Sequence, residues 1–459
     1  MPKILIDILP AMGHFNSLLK IVQLLKDAGY EVIYINQGLK AELAKYNLQS
    51  RETAFDISPV LLKKERLNFR KYLHKRIFPE KDKKLKKMRE DFLAFKEFLI
   101  TLSPDLVLLD EQNMLKAIYY EICNVPVLCV ESKPEPYKSP NVPPFTSYYV
   151  PSDSFRSKCL INWLWMKKTI RNRFRLKMLQ LNSDGNDIYS ITCQIAKNHG
   201  IKLSKRINLE RGYGIGINKI QRLIVSAVDF DFPHPDKEDT YSIGPLVDIH
   251  RESNISLPRY RVLIDTINRQ KEKNEGVIIY CSLGSDNLQF HNEVLKFFNR
   301  IKQVSSLNPK DLFILSTGFE FNVTEIYPVP NNMYVFDFLP QVDLLKYCDI
   351  MITHGGINSI TECVFFGVPT LNYPLSMDWD QPGCAARAVY HKIGLMGKIN
   401  KDNAKTISRK LNSIKSDYSF YKMNILTMKK KFEEKNNSDH VIEIIERIIK
   451  QHSKPNGNN

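Results

Sequence analysis

The sequence predicts an α/β protein of two domains, each built around a parallel β-sheet with helices on both faces. The chain has 459 residues, which exceeds one ordinary domain and predicts two domains of roughly 200 residues each. Short apolar runs alternate with helical periodicity in both halves of the chain, and this order is typical of parallel sheets. The composition, 43% hydrophobic and 25% charged, is that of a folded globular protein.

The order of elements in the first half sets the predicted boundaries. Its strands are expected at residues 4–9, 31–35, 105–109, 125–130 and 223–228, and its helices at 17–28 and 117–123. The proline-rich stretch 134–151 predicts a long surface loop, and the acidic stretch 229–245 predicts an interdomain linker. The predicted units are residues 1–235, 236–425 and a C-terminal helix with a frayed tail at 426–459.

The second half repeats this order. Strands are expected at residues 276–281, 312–316, 334–336, 350–353 and 370–373, and helices at 293–304, from the 354–356 loop to about 366, and at 418–450. The repetition lies at the level of whole domains, because no short tandem repeat is present.

Two segments carry almost all of the net charge of +16. Residues 63–90 contain 13 Lys and Arg against 4 Asp and Glu, and residues 156–177 contain 8 Lys and Arg with no acid. The second segment also holds Trp163, Trp165 and Phe174, a mixture suited to the headgroups of an anionic membrane. A solvated helix face is the alternative. No nucleic-acid-binding motif accompanies the charge, so no nucleic-acid partner is expected.

The N-terminus and the cysteines bear on location. The chain enters a strand-like run at once, without a signal-peptide pattern, and no run of about 18 uncharged apolar residues occurs. Its eight scattered cysteines form no Cys-x-x-Cys pair and predict reduced thiols. We therefore expect a cytoplasmic protein, with peripheral contact on the inner membrane face if the basic segments bind lipid.

The most informative stretch is residues 338–394. Thr353-His354-Gly355-Gly356 follows a predicted strand and opens a helix. Glycines that admit a close backbone approach and the free N–H groups of a helix N-terminus form an anion site. Asn358 and Ser359 add side-chain donors, and Glu362 lies one turn beyond Asn358, where its carboxylate can accept from a ribose diol. This pattern predicts a site for a nucleoside diphosphate.

The run as a whole resembles the donor-binding signature of the UDP-glycosyltransferase superfamily, the inverting family 1 enzymes of the GT-B fold. The matching residues are Phe338-Leu339-Pro340-Gln341, Thr353 through Glu362, Gly367-Val368-Pro369 and Asp380-Gln381. Phe338 stands where plant members carry Trp. Residues 380–387 also resemble bacterial zeaxanthin glucosyltransferases and macrolide-type transferases. The resemblance implies two Rossmann-like domains that face each other across a cleft, with the C-terminal helix crossing back to the N-terminal domain.

The resemblance also implies a role for each donor-site residue. Phe338 and Gln341 would contact the base, and Glu362 would bind the ribose. Asp380 and Gln381 would bind the sugar hydroxyls. The phosphates would be bound by His354, Gly355, Gly356, Asn358 and Ser359. A turn containing Ser282, Gly284 and Ser285 would lie beside the diphosphate. Because the helix N-terminus and His354 can meet the charge of the leaving group, no metal and no other cofactor is expected.

The predicted general base is His14. Gly13-His14 follows the first strand directly, and the family places its base in this turn, where the imidazole takes the proton of the acceptor hydroxyl. A carboxylate is needed to orient the imidazole and stabilise its charged form. Asp110 ends a neighbouring strand and is the first candidate for this carboxylate, with Glu111 as the alternative.

Acceptor recognition is expected in the N-terminal half. Aromatic and proline residues of the 134–151 loop, together with Trp163 and Trp165, would line or flank the cleft and suit a small lipophilic alcohol or phenol, such as a secondary metabolite. The expected reaction is transfer of a hexosyl group, first of all glucose, from a UDP-sugar to such an acceptor. The alternatives are a UDP-sugar 2-epimerase of the same fold and a catalytically silent protein that binds sugar nucleotides or a membrane.

Overall fold

The structure, a computed structural model, contains two parallel sheets flanked by helices, which confirms the predicted fold class. It describes residues 1–35, 38–53, 55, 81–212, 214–247, 258–273, 275–284, 288–318, 321–435 and 438–453. Ser285 and residues 63–80 of the first basic segment therefore lie outside the described residues.

The first sheet is formed by the N-terminal half of the chain. Its strands in chain order are β1 (Lys3–Asp7), β2 (Glu31–Tyr34), β3 (Gln49–Ser50), β4 (Leu106–Asp110), β5 (Val127–Glu131), β8 (Gln221–Ile224) and β9 (Thr240–Ser242). They are parallel in the order β3-β2-β1-β4-β5-β8-β9. A separate antiparallel pair joins β6 (Ile207–Asn208) to β7 (Gly216–Ile217). Strand β9 lies inside the predicted linker, so the first sheet extends to Ser242.

The second sheet is parallel throughout. Its strands are β10 (Ile278–Ser282), β11 (Leu312–Ser316), β12 (Met333–Phe336), β13 (Ile350–Thr353), β14 (Thr370–Asn372) and β15 (Gly394–Met396). Their order is β12-β11-β10-β13-β14-β15. Every residue of β4, β10, β11 and β13 is buried, because helices cover both faces of each sheet.

The helices connect the strands and cover the sheets. In chain order they are α1 (Met12–Asp27), α2 (Lys40–Lys45), α3 (Lys81–Leu102), α4 (Lys116–Ile122), α5 (Phe155–Ser183), α6 (Ile188–Asn198), α7 (Pro258–Lys273), α8 (His291–Leu307), α9 (Gln341–Leu345), α10 (Ile357–Phe366), α11 (Gln381–Tyr390), α12 (Ala404–Ser416), α13 (Tyr418–Glu434) and α14 (Ser438–Ser453). In the part of the chain that the structure describes, none of them combines the length and apolarity needed to span a bilayer.

The C-terminal helix α14 packs on the N-terminal domain, as the resemblance implied. Val441, Ile445 and Ile448 are fully buried, and they belong to the same apolar cluster as Ile4 of β1 and Val22 of α1. The isoleucines and valine recur every three to four residues, so one helical face is apolar and enters this core.

Helix α1 begins earlier than its periodicity predicts. Ala11 has an extended backbone, and its carbonyl oxygen accepts hydrogen bonds from the N–H groups of His14 and Phe15 at 3.0 Å each. The Gly13-His14 turn is therefore the first turn of the helix. Apolar periodicity could not show this, because Met12, Gly13 and His14 add no buried apolar side chain ahead of Phe15.

Candidate functional site

His14 and Asp110 form a close pair at the carboxyl edge of the first sheet. Strand β1 leads into the first turn of α1, and β4 ends at Asp110, so adjacent parallel strands deliver both side chains to one edge. The Nδ1 atom of His14 lies 2.7 Å from Oδ2 of Asp110. Of the two carboxylates predicted as partners, Asp110 is the one in contact with the imidazole.

The carboxylate of Asp110 is buried and hydrogen-bonded on both oxygens. Oδ1 accepts from the N–H of Gln112 at 2.8 Å and thereby caps the short helix Glu111–Asn113, while Oδ2 also accepts from the N–H of Leu9 at 3.3 Å. Burial alone would raise the pKa of Asp110, but the His14 imidazole, the hydrogen bond from the Gln112 N–H and the charge of Lys133 together hold that pKa below its usual value. The ionised carboxylate can therefore fix the ring with Nδ1–H toward Asp110, which makes Nε2 the nitrogen that can accept a proton.

The His354 loop forms a narrow cradle at the carboxyl edge of the second sheet. Gly284, which follows β10, has a φ of +85°, and a Cβ there would lie 2.9 Å from Cε1 of His354; a Cβ on Gly356 would lie 2.5 Å from its Nε2. Only glycine at these two positions lets the backbone close around the imidazole. Burial lowers the pKa of His354 to about 4, so the ring is neutral at pH 7.

The two edges meet across one gap. The Nδ2 group of Asn358, in the first turn of α10, donates to the carbonyl oxygen of Gly13 at 3.0 Å. The N-terminal turn of α1, which carries His14, thus faces the N-terminal turn of α10. A small pocket opens beside this contact. Its walls include Asn16, Ser17, Ser132, Ser226, Asn358, Thr361 and Glu362.

The ribose and base residues of the predicted site also lie close together. The carboxylate of Glu362 is buried and accepts from Nε2 of Gln341 at 2.6 Å, and the same amide lies 3.4 Å from Oγ of Ser359. Phe338 precedes α9 and is 41% exposed, so its ring is accessible to a ligand.

Asp380 and Gln381 begin α11 beside the gap. The Oε1 atom of Gln381 accepts from the N–H groups of Leu375 and Ser376 at 2.8 and 3.2 Å, so this side chain orders its own loop. Asp380 is buried, and this burial raises its pKa. The charge of Lys133, from the N-terminal domain, lowers that pKa in part.

Asp378 and Asp229, the first residues of the sequences Asp378-Trp379-Asp380 and Asp229-Phe230-Asp231, are engaged in ion pairs. Asp378 lies 3.4 Å from Nη1 of Arg175, and Asp229 lies 3.0 Å from Nζ of Lys435. Among the described residues, no cluster of three or more His, Cys, Asp or Glu side chains could hold a metal ion. Catalysis without a metal stays a prediction.

The 134–151 loop is largely buried, so its prediction as a surface loop was wrong. The Phe145 side chain is 1% exposed, and its carbonyl oxygen accepts from the N–H of Gly383 in α11 at 2.7 Å. Trp165 is equally buried, and its Nε1–H donates to the carbonyl oxygen of Val142 at 2.7 Å. Trp165 therefore anchors the loop, while Trp163 lies on the exposed side of α5.

We expect Gly383→Ala to destabilise the protein by about 1–3 kcal/mol. An added Cβ would lie 2.3 Å from the carbonyl oxygen and 2.4 Å from Cα of Phe145, and backbone atoms cannot rotate away. Urea denaturation measures the change. Gly13→Ala is the matched control, because its Cβ would meet only the Asn358 amide, at 3.8 Å. Equal stability of the two variants would show that the loop does not hold α11 in this way.

Sequence reasoning missed Gln112, Lys133 and the Arg387–Asp231 pair. The Nε2 atom of Gln112 lies 3.3 Å from Nε2 of His14. Lys133 follows the carboxyl end of β5. The signal for Lys133 is the one that identified Asp110: a charged residue at the end of a buried strand. The Arg387–Asp231 pair, with Nε donating to Oδ1 at 2.8 Å, gave no local signal, because its members lie in different domains.

Comparison with known proteins shows which class of proteins this chain resembles. The protein-family model named erythromycin biosynthesis protein CIII-like, C-terminal domain, matches residues 313–448. The uncharacterized UDP-glucosyltransferase YdhE of Bacillus subtilis is 29% identical over 178 residues, which cover 39% of this chain and 43% of YdhE. Zeaxanthin glucosyltransferase of Pantoea ananas is 29% identical over 167 residues, covering 36% of this chain and 35% of that protein. The chain thus matches less than half of the length of these relatives.

The crystal structure of the glycotransferase of kitacinnamycin has the same fold. Its TM-score is 0.65 at 16% identity, and the match covers 98% of this chain and all of that one. Two facing Rossmann-like domains with a shared gap define a GT-B protein. The comparisons confirm the resemblance carried by residues 338–394: over part of its length, the chain is similar to UDP-glucosyltransferases.

Proposed function

We propose that the protein is an inverting glycosyltransferase that moves a hexosyl group, first of all glucose, from a UDP-sugar to a hydroxyl of a small lipophilic acceptor. One observation carries the proposal. The His14–Asp110 pair and the His354 cradle approach each other across one gap, through the contact between Asn358 and Gly13. A proton acceptor and an anion site on opposite walls are what transfer from a nucleoside diphosphate requires.

The residues divide the reaction between the two walls. Nε2 of His14 takes the acceptor proton as the acceptor oxygen bonds to the anomeric carbon, and Asp110 stabilises the resulting imidazolium. The bond from the anomeric carbon to the diphosphate oxygen breaks on the opposite side, which inverts the configuration. The leaving diphosphate takes up the negative charge, and the N-terminus of α10 stabilises it. The Gln112 amide, 3.3 Å from Nε2 of His14, must yield to the acceptor.

Transfer assays with a panel of UDP-sugars and hydroxylated lipophilic acceptors test this function. The expected product is a glycoside with inverted anomeric configuration, formed together with an equal amount of UDP. Free epimerised sugar without acceptor dependence would instead identify a UDP-sugar 2-epimerase. Binding of UDP without turnover of any UDP-sugar would identify a silent binding protein.

We also propose that the outer face of helix α5 contacts an anionic membrane surface on the cytoplasmic side. The exposed apolar side chains of this helix are those of Phe155, Trp163, Met166, Ile170 and Phe174, and each residue is 47% to 80% exposed. Four of them recur every three to four residues along one face. Six exposed cations, Arg156, Lys158, Lys167, Arg171, Arg173 and Lys177, accompany them. An apolar stripe between cations suits an interfacial helix.

We expect the protein to sediment with vesicles that contain phosphatidylglycerol and not with vesicles of phosphatidylcholine alone. Ile170→Glu places a charge in the stripe and should reduce binding at least about tenfold, since an apolar contact is lost and repulsion is added. Met423→Glu on α13 is the matched control, because Met423 is 60% exposed but lies outside this face. Binding that Ile170→Glu leaves unchanged would exclude α5 as the contact.

A further inference from the structure

The side chain of Gln112 lies against the nitrogen of His14 that would take the acceptor proton. Its Nε2 atom is 3.3 Å from Nε2 of His14. An amide nitrogen donates hydrogen bonds and does not accept them, so the imidazole nitrogen is the acceptor in this contact. That assignment agrees with the other side of the ring, where Asp110 lies 2.7 Å from Nδ1 and fixes the ring proton there.

The carboxylate of Asp110 holds the backbone of Gln112 as well as the ring of His14. Its Oδ1 atom accepts from the N–H of Gln112 at 2.8 Å, while Oδ2 faces the imidazole. One buried carboxylate thus fixes the backbone of residue 112 relative to the ring. The side chain of Gln112 is half-buried, and rotation about its own bonds can take the amide away from Nε2 while the backbone stays in place.

The amide of Gln112 competes with any hydroxyl that approaches Nε2 of His14. The His14 side chain is only 15% exposed, so a group hydrogen-bonded to Nε2 occupies much of the access to that nitrogen. The hydroxyl of a bound acceptor is held in place by the rest of the acceptor molecule, which raises its effective concentration. A lone water molecule gains only the hydrogen bond that it replaces. The amide therefore yields to a bound acceptor more readily than to water.

We propose that Gln112 is a specificity-determining residue that directs the reaction to acceptor hydroxyls and away from water. The inference rests on the proposed function, in which Nε2 of His14 is the base. The reaction that the amide suppresses is hydrolysis of the UDP-sugar. In that reaction the oxygen of water bonds to the anomeric carbon, and a water proton goes to Nε2 of His14. The bond from that carbon to the diphosphate oxygen breaks, UDP leaves with the electron pair, and the free sugar is released.

Release of UDP and glucose from UDP-glucose without any acceptor measures this hydrolysis. Gln112→Ala should raise its rate about two- to tenfold over the wild type, the range that corresponds to the loss of one neutral hydrogen bond. Gln112→Met keeps the length of the side chain but cannot donate to Nε2, so it should raise the rate as well, and it decides the test should Gln112→Ala fail to fold. In the double variant His14→Ala/Gln112→Ala the rate should fall to that of His14→Ala alone, because this hydrolysis needs the base.

Gln23→Ala is the matched control. Gln23 lies on α1, the helix that carries His14, but its amide donates to Asp27 at 2.7 Å on the exposed surface, so its loss should leave hydrolysis at the wild-type rate. Equal hydrolysis by the wild type and the Gln112 variants would overturn the inference. An increase that persists in the double variant would also overturn it, because water would then react without His14. Failure of the proposed function has a different signature, namely wild-type protein that forms no glycoside from any UDP-sugar and acceptor of the panel.

Discussion

Replacement of His14 by alanine is expected to lower the turnover number for glycosyl transfer by about 10²–10⁴-fold and to leave the Kd for UDP unchanged. The imidazole is held 2.7 Å from Asp110, on the wall opposite the His354 cradle. Its removal therefore takes away the proton acceptor without touching the anion site. Initial rates at saturating donor and a calorimetric titration with UDP measure the two quantities.

Gln112→Ala is the control for this substitution. Its amide is also close to His14, at 3.3 Å, but it cannot accept a proton, so its loss should change the turnover number only a few-fold. Full activity of His14→Ala would mean that the base lies elsewhere. Loss of UDP binding together with transfer would mean that His14 maintains the gap instead of acting as the base.

Arg387→Met is expected to destabilise the protein by about 3–5 kcal/mol. Arg387 is fully buried in α11; it donates from Nε to Oδ1 of Asp231 at 2.8 Å and from Nη1 to the carbonyl oxygen of Gly383 at 3.0 Å. Burial would raise the pKa of Asp231, but the guanidinium holds it below its usual value. The variant leaves this carboxylate buried without its main partner. The free energy of unfolding in urea at pH 7 is the measurement.

Lys435→Met provides the comparison for the buried pair. Lys435, which follows α13, pairs with Asp229 at 3.0 Å. This pair also reaches the segment that follows β8, but the lysine side chain is 55% exposed. Such an exposed pair contributes about 0–1 kcal/mol. A loss of similar size in both variants would show that burial does not set the strength of these interdomain contacts.

The sequence was sufficient to predict those parts of the site that are formed by residues contiguous in the chain. The cradle at 353–362 was recognisable because glycines, a strand end and a helix start follow one another, and Asp110 because it ends an apolar run. Arg387 and Asp231 could not be paired in this way, since their contact depends on how the two domains face each other. Likewise, prolines and tyrosines at 134–151 suggested exposure, but Trp165 and Gly383 cover that loop from elements remote in the sequence.

Helix α14 makes the polypeptide pass between the lobes twice, once after β9 and once before Ser438. A protein shortened before residue 438 would leave the hollow beside Ile4 and Val22 uncovered. The last helix thus completes the core of the N-terminal lobe although the chain reaches it from the C-terminal lobe, so the N-terminal lobe is not a self-sufficient unit when cut at the first crossing.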